Sequence, residues 1–146
     1  MAKYDALKLE NQLCFPLYAC AKEIVRRYKP FLDELDLTYT QYIAMMVLWE
    51  HRSVTVKELG ALLFLDSGTL TPLLKKLESK GYVTRERSEA DERVLNVTVT
   101  EKGMALRERA VEIPAKVAGC VSLSREDAVT LYTILHKAMS GFCEAE

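Results

Sequence analysis

Apolar residues recur at three- and four-residue steps along much of the chain, a spacing typical of amphipathic helices. The first such stretch predicts a long helix from about Leu7 to Tyr28. Pro16 interrupts the pattern, so it should either kink this helix or delay its regular start. Pro30 is expected to end the helix, because the residue before a proline disfavours helical geometry.

Two further apolar stretches carry helix-start signals. Thr38 or Thr40 can cap a helix that runs to about His51. This helix is apolar nearly all round, which indicates a central buried position. Thr55, followed three residues later by Glu58, is a capping-box pattern and predicts a shorter helix.

The next segment predicts a helix pair followed by a hairpin. After a break at residues 64–68, a helix ended by Gly81 carries one clean apolar stripe. The stripe consists of Leu70, Leu73, Leu74 and Leu77. The period then changes to that of strands at 82–87 and 94–99, with a polar turn between them. This order predicts a winged helix-turn-helix, mainly α with a small β-hairpin wing.

Two more helices are expected after the hairpin. The first starts near Thr100 and is broken or bent at Pro114. The second begins after Ser124, which can act as its N-cap. The whole chain, 1–146, is read as a single domain.

Composition agrees with one folded domain. The chain has 146 residues, 49% of them hydrophobic and 28% charged, with a net charge of −1. A nearly neutral molecule is not a general polyanion binder, so any nucleic-acid surface must be a local patch. The first ten residues are charged and no apolar run approaches a membrane span, so we expect a cytoplasmic protein with no membrane partner.

The four cysteines are expected to be thiols in a reducing cytosol. They are Cys14, Cys20, Cys120 and Cys143. No CxxC occurs and the spacings do not suit a zinc cluster, so neither a metal nor another cofactor is predicted.

The face opposite the leucine stripe is a candidate DNA-reading surface. It presents Thr71, Pro72, Lys75, Lys76 and Ser79. Ser67, Thr69 and Thr71 lie near the helix N-terminus, where hydroxyls and the helix dipole favour phosphate. Residues 75–87 hold five basic and two acidic residues, a local charge of +3. The alternative is that the lysines only solvate an exposed helix face.

Three arginines, Arg85, Arg87 and Arg93, lie on or beside the predicted wing. An arginine at a wing tip can enter a minor groove, whose narrow A·T tracts concentrate negative potential. Asp91 and Glu92 are expected to pair with Arg93 or Arg87 and to hold the wing in shape.

These residues resemble the MarR family of transcriptional regulators. The resemblance is carried by residues 66–78, by Asp91-Glu92-Arg93 and by the wing signature that continues to Gly103. The run Asn-Gln-Leu-Cys-Phe at 11–15 is similar to that of the OhrR-type organic-hydroperoxide repressors. The resemblance implies a homodimer that binds double-stranded DNA at an inverted-repeat operator. It places DNA binding in 53–100 and dimerisation in 7–29 and 101–143.

The resemblance also implies roles for four side chains. Cys14 matches the reactive cysteine, and Tyr28 and Tyr39 match tyrosines that hydrogen-bond its sulfur from the other subunit. Tyr18 matches a nearby tyrosine of the same pocket. Cys14 and Tyr28 would lie roughly 21 Å apart on one helix, at about 1.5 Å per residue, so the sensor site requires a dimer.

The expected function is therefore a repressor that releases its operator when an organic hydroperoxide oxidises Cys14. In the two-cysteine branch of the family, the region of Cys120 carries a resolving thiol, which implies an intersubunit Cys14–Cys120 disulfide. The alternative is that Cys120 is a small core residue. Cys20 and Cys143 are read as structural or incidental.

Two other functions remain open at this point. A MarR-type repressor controlled by a small phenolic ligand would share the fold. A cysteine peroxidase would also use a reactive thiol, but no Thr/Arg constellation around Cys14 is apparent, so no enzyme is predicted. His51 and His136 are isolated and are read as ordinary helix residues.

Overall fold

A computed structural model describes the backbone of residues 2–144 and the side chains of residues 2–142, so the Cys143 side chain lies outside it. Two single 3₁₀ turns, Asp5–Leu7 and Leu9–Asn11, precede the first helix. The helices and strands are α1 Cys14–Asp33, α2 Tyr39–His51, β1 Ser53–Thr55, α3 Val56–Leu63, α4 Ser67–Ser79, β2 Val83–Arg87, β3 Leu95–Val99, α5 Glu101–Ala110, α6 Ile113–Ala118 and α7 Arg125–Glu144.

Helix α1 begins and ends later than the sequence pattern predicted. It starts at Cys14, so Pro16 falls in the first turn, where its missing N–H has no intrahelical partner to lose. Pro30 does not end the helix, which is a correction to the prediction. The helix continues because Leu32, beyond the proline, is buried in the core, and this burial offsets one lost backbone hydrogen bond. The chain reverses just after, at Asp36, where φ is 53°.

Helix α2 is the buried centre of the fold, as predicted. Thr38, rather than Thr40, caps it: the Gln41 N–H donates to Thr38 Oγ1 at 3.3 Å, and the Thr38 N–H donates to Gln41 Oε1 at 3.0 Å. Met45 and Leu48 have no exposed surface. The helices on both sides pack against this apolar cylinder, which joins them into one core.

Helices α3 and α4 form the predicted helix pair. The capping box at the start of α3 is present, with the Glu58 N–H donating to Thr55 Oγ1 at 3.1 Å. Helix α4 begins inside the stretch predicted as a break, because Asp66 caps it by accepting the Thr69 N–H at 2.8 Å. Gly81 follows α4 with a φ of 81°, as its predicted role as a terminator requires.

The wing is a three-stranded antiparallel sheet in the order β1-β3-β2. The two predicted strands are present, and Val97 of β3 lies opposite both Val54 and Arg85. The third strand, β1, was missed because three residues carry too little periodicity to identify. It adds a second hydrogen-bonded edge to β3, so the wing is part of the core and not a free hairpin.

The C-terminal region divides into helices with different surroundings. Thr100 caps α5, accepting the Gly103 N–H at 3.0 Å, and the predicted break lies just before Pro114, which falls in the first turn of α6. Helices α5 and α6 pack into the core through Leu106, Ala110, Ile113 and Val117. Helix α7 starts after the predicted cap, Ser124, and through residue 142 only Leu135 is even partly buried.

None of the helices within residues 2–144 combines the length and the apolar character needed to cross a membrane.

Candidate functional site

The leucine stripe of α4 faces the core, as predicted. Its four members are 0–6% exposed: Leu70, Leu73, Leu74 and Leu77. The opposite side of the helix is open to solvent through Thr71, Pro72, Lys75, Lys76 and Ser79. Ser67 and Thr69, in the first turn, are exposed as well. The helix therefore presents hydroxyls at its N-terminal end and ammonium groups further along.

The wing loop is held by its own charged side chains. Arg93 donates to the Asp91 carboxylate at 3.1 and 3.2 Å, and this hydrogen bond, together with one from the Arg93 backbone, lowers the pKa of Asp91 below its ordinary value. The predicted Asp91–Arg93 pair is thus confirmed. Arg87 instead donates to the backbone carbonyl of Glu92, at 3.0 Å. Both arginines remain exposed.

Two cations near α4 have internal partners. Arg85 donates to Glu78 at 3.1 Å, its side chain is only 19% exposed, and the hydrogen bond lowers the pKa of Glu78. Lys80 donates to the Asp36 carbonyl at 2.5 Å and to Gln41 Oε1 at 3.3 Å. These contacts join α4 to β2 and to the α1–α2 turn. Arg85, predicted to contact DNA, is therefore placed between elements of its own chain.

Cys14 is the first residue of α1 and is exposed. Tyr18, one turn later, is 65% exposed. Asn11 and Gln12 fold the preceding segment into its 3₁₀ turns, since their side-chain amides donate to the carbonyls of Asp5 at 2.8 Å and of Ala6 at 2.6 Å. The thiol therefore lies where an ordered N-terminal segment meets the first turn of α1.

Tyr28 and Tyr39 come together at the other end of α1. Their ring centroids are 5.1 Å apart, and both rings are half-buried. Burial raises the pKa of each phenol above its ordinary value. A phenol is protonated at neutral pH and can then donate a hydrogen bond, and the raised pKa keeps both groups in this form to higher pH.

A third tyrosine, Tyr42, completes this group and was missed in the sequence. Its ring lies 5.6 Å from that of Tyr28 and 6.2 Å from that of Tyr39, and burial raises its pKa to about 12. The available signal was its spacing: residues three apart on a helix share a face, so Tyr39 and Tyr42 of α2 point the same way.

The structure does not bring Cys14 to the tyrosines within one protomer. Cys14 and Tyr28 both belong to α1, so about 21 Å of helix separates them. The predicted sensor residues therefore form two separate groups, Cys14 with Tyr18 and Tyr28 with Tyr39.

Cys120 is exposed, so its alternative reading as a core residue is wrong. Its thiol donates to the Lys116 carbonyl at 3.4 Å and borders a cleft of about 460 Å³. The other cleft residues all belong to α1: Glu23, Arg26, Arg27, Pro30 and Phe31. Cys120 thus lies beside the same stretch of α1 that carries Tyr28, well away from Cys14 of the same chain.

Comparison with known proteins identifies the family. Residues 26–109 match the family model described as transcriptional regulator SarA/Rot. The organic hydroperoxide resistance transcriptional regulator of Bacillus subtilis (strain 168) is 52% identical over 134 residues, 92% of this chain and 91% of that protein. The chain belongs to the MarR-type SarA/Rot family of transcriptional regulators.

Two more relatives agree with this assignment. The HTH-type transcriptional regulator SarZ of Staphylococcus aureus (strain USA300) is 46% identical over 90% of this chain and 89% of its own length. Reduced AbfR, solved bound to DNA, is 32% identical with a TM-score of 0.78, covering 97% of this chain and 99% of that one. The family and the winged helix-turn-helix fold expected from the sequence are thereby confirmed.

This regulator carries a large unpartnered apolar surface. Exposed apolar side chains line the first half of α1 and nearly the whole length of α7. They are Leu13, Phe15, Leu17 and Tyr18 on and before α1, and Val129, Leu131, Tyr132, Ile134, Met139 and Phe142 on α7. Helices in proteins are stabilised mainly by packing of an apolar face, and large exposed apolar patches mark interaction sites, so this surface of the 20-residue α7 indicates a partner.

Proposed function

We propose that this protein is a homodimeric DNA-binding repressor that releases its operator when an organic hydroperoxide oxidises Cys14. The observation that carries the proposal is the arrangement of α1, with an exposed thiol at one end and a half-buried tyrosine pair at the other. A two-fold axis that crosses two copies of α1 brings each thiol to the partner's tyrosines. The Bacillus subtilis relative is named for organic hydroperoxide resistance, which supports the choice of oxidant.

The dimer interface is assigned to the exposed apolar face of residues 7–29 and of α7. Helices α5 and α6, also within the predicted dimerisation range 101–143, pack mainly into their own protomer. Residues 53–100 form the DNA-binding lobe. The dimer interface and the DNA-reading surface then lie in different parts of the chain. A change at the interface can therefore alter the distance between the two DNA-reading surfaces of the dimer.

The chemistry at Cys14 is a two-electron oxidation. The thiolate sulfur attacks the terminal peroxide oxygen, an S–O bond forms and the O–O bond breaks. The thiolate becomes a sulfenic acid, and the peroxide leaves as an alcohol after its alkoxide takes up a proton. Phenolic O–H groups of Tyr28 and Tyr39 stabilise the thiolate beforehand by donating to sulfur. Tyr18 completes the wall of the pocket.

Cys120 is proposed as the resolving thiol. Its sulfur attacks the Cys14 sulfenic acid, a disulfide forms and water leaves. A bridge within one protomer would require Cα atoms within about 7 Å, yet Cys120 borders residues 23–31, at least nine residues along α1 from Cys14. The disulfide must therefore join two subunits. AbfR has been solved both reduced on DNA and with a disulfide formed, which supports this route.

DNA is proposed to contact the open face of α4 and the wing. Ser67, Thr69 and Thr71 donate to phosphates or base edges at the helix N-terminus, while Lys75 and Lys76 neutralise phosphates. Arg87 and Arg93 at the wing enter the minor groove. Arg85, held by Glu78, positions the wing against α4 and is not assigned a DNA contact.

A DNA-shift assay with Cys14→Ser tests the redox step. Wild-type protein should lose about 5- to 150-fold in operator affinity on treatment with cumene hydroperoxide, the range of a typical coupling energy. Cys14→Ser should bind the operator as the reduced wild type does and ignore the peroxide. Full release of Cys14→Ser by peroxide would refute the role of this sulfur, and Cys20→Ser is the matched control that keeps the response.

The disulfide has its own test. Peroxide-treated wild type should run as a dimer on a non-reducing gel, and Cys120→Ser should run as a monomer. A dimer band that persists in Cys120→Ser would show that a thiol other than Cys120 resolves Cys14, and it would end this assignment.

We further infer that Cys14 acts as a switch and not as an enzyme, since its oxidised state must persist to keep the DNA free. With a thiol reductant and excess cumene hydroperoxide, the protein should consume about one equivalent of peroxide per Cys14 for each release of the operator. Sustained turnover at many equivalents per Cys14 would favour a peroxidase.

Phosphate contacts by α4 can be measured through salt dependence. Lys75→Ala should weaken binding about equally on all sequences and lower the slope of log K against log salt by about one per subunit. Lys116→Ala, an exposed lysine of α6, is the matched control and should leave the slope unchanged. An unchanged slope in Lys75→Ala would remove this lysine from the interface.

A further inference from the structure

Tyr42 is the most buried member of the three-tyrosine cluster. It is 3% exposed, whereas Tyr28 and Tyr39 are only half-buried. The three rings form a triangle with centroid separations of 5.1, 5.6 and 6.2 Å. The two phenols assigned to the thiol therefore rest on a third ring that the proposed chemistry does not use.

The packing of the cluster is interlocked. Tyr39 and Tyr42 come from one face of α2 and Tyr28 from α1, and all three ring pairs are tilted, at 44–59°. Tilted aromatic pairs at these separations are favourable beyond the area they bury. Neither Tyr28 nor Tyr39 can change its rotamer without opening a gap against Tyr42.

Tyr42 also packs against Trp49, which is not part of the tyrosine cluster. Its ring meets Trp49 edge-on, with a centroid distance of 6.2 Å and an interplanar angle of 70°. The Trp49 indole N–H donates to the Gly103 carbonyl at 2.9 Å, at the start of α5. Gly103 in turn lies close against the backbone of Tyr82, where an added Cβ would collide with the Tyr82 carbonyl oxygen. The Tyr42 ring therefore packs against a tryptophan whose own position is fixed by a hydrogen bond to the backbone of α5.

We propose that Tyr42 is a positioning residue of the thiol sensor, whose ring holds Tyr28 and Tyr39 in the orientation that directs their hydroxyls at Cys14 of the partner subunit. The inference rests on the proposed function, since it needs a dimer that brings this sulfur to the tyrosines. The ring does the work, and the Tyr42 hydroxyl is not required. An aromatic residue without the hydroxyl should therefore replace Tyr42, and an aliphatic residue should not.

The test is the rate at which Cys14 of the full-length dimer reacts with cumene hydroperoxide. Tyr42→Leu should react about tenfold more slowly than wild type, the effect of losing roughly one hydrogen bond to a charged sulfur. Tyr42→Phe should react at the wild-type rate. Operator affinity of the reduced dimer should change less than twofold in both variants, because α4 and the wing are untouched. Tyr42→Met, which fills an irregular gap with a flexible side chain, repeats the test if Tyr42→Leu does not fold.

Tyr82→Leu is the matched control. Tyr82 is also a buried tyrosine, 8% exposed, but its ring is not part of the cluster, so the Cys14 rate should stay unchanged. Equal slowing by Tyr82→Leu and Tyr42→Leu would mean that lost stability causes the effect and would overturn the inference. A wild-type rate in both Tyr42→Leu and Tyr42→Met, or slowing in Tyr42→Phe, would overturn it too.

Tyr28→Phe distinguishes a wrong positioning role for Tyr42 from a wrong assignment of the thiol sensor. If Tyr28→Phe slows Cys14 and the aliphatic Tyr42 variants do not, the sensor stands and the positioning role is wrong. If wild-type Cys14 does not react at all, the proposed function is wrong.

Discussion

At the scale of single residues, the environment of each side chain decides what it can do. Lys75 and Lys80 are five positions apart, but Lys75 is exposed on the open face of α4, whereas Lys80 binds the α1–α2 turn. Arg85 and Arg87 are two positions apart on β2, but Arg85 is held by Glu78. Charge alone could not distinguish these pairs in the sequence, because the partners lie on other elements.

Tyr42 predicts a specific loss of stability at high pH. Burial, with repulsion from the phenolates that Tyr28 and Tyr39 would form, raises its pKa from 10.0 to about 12. A raised pKa means that the folded state binds the proton more tightly. The contribution of protonated Tyr42 to the free energy of unfolding is therefore complete below pH 10 and is lost as the pH rises to about 12. The free energy of unfolding should fall by up to about 2 to 3 kcal/mol over this range.

The measurement is the free energy of unfolding by urea between pH 9 and about pH 12. Tyr42→Phe has no proton to lose, so its stability should fall less over this range than that of the wild type. Identical curves for Tyr42→Phe and wild type would contradict the assignment.

At the scale of elements, local signals identified most helices. The capping boxes at Thr38 and Thr55 and the stripe of α4 depend on residues within seven positions of one another, so the sequence reveals them directly. The exceptions are β1, which is recognisable only beside β3, the start of α1, which falls at Cys14, and the end of α1 beyond Pro30. Burial of Leu32 in the assembled core overrides the local signal there.

The stripe of α4 makes a quantitative prediction. Leu74→Ala deletes a side chain that is 1% exposed and should lower the free energy of unfolding by about 2 to 5 kcal/mol. Leu62→Ala, the same change at a residue 54% exposed, should cost well under 1 kcal/mol. Chemical denaturation of the two variants compares them. Equal losses would mean that α4 does not pack on the core through this face.

At the scale of the whole molecule, one protomer is an incomplete structure. Its core joins the helices from α2 to α6, the sheet and the C-terminal half of α1, while α7 through residue 142 has almost no packing of its own. The candidate site is divided in the same way, with the thiol and the tyrosines at opposite ends of α1. In the proposed dimer a second copy accounts for both features. Sequence periodicity could indicate the apolar stripe but not what covers it.

Disruption of the apolar face of α7 should separate the subunits. Ile134→Lys places a charge on a surface where Ile134 is 58% exposed in the protomer, and it should shift the dimer to monomer at micromolar concentration. Thr133→Lys, on the side of α7 that carries Glu126 and Lys137, should remain dimeric. Sedimentation gives the mass, and the monomer should also lose operator binding and the rapid reaction of Cys14. A dimeric Ile134→Lys protein would move the interface elsewhere.

The sequence by itself determined the starts of α2, α3, α5 and α7, the exposed face of α4, the two wing strands and the family, because these depend on caps and spacings within a few residues. Only the tertiary structure decided the third strand, the passage of α1 through Pro30, the internal roles of Arg85 and Lys80 and the place of Tyr42. The Lys80–Gln41 and Trp49–Gly103 contacts join residues 39 and 54 positions apart. Contacts over such separations form only when the whole core assembles, so no local pattern encodes them.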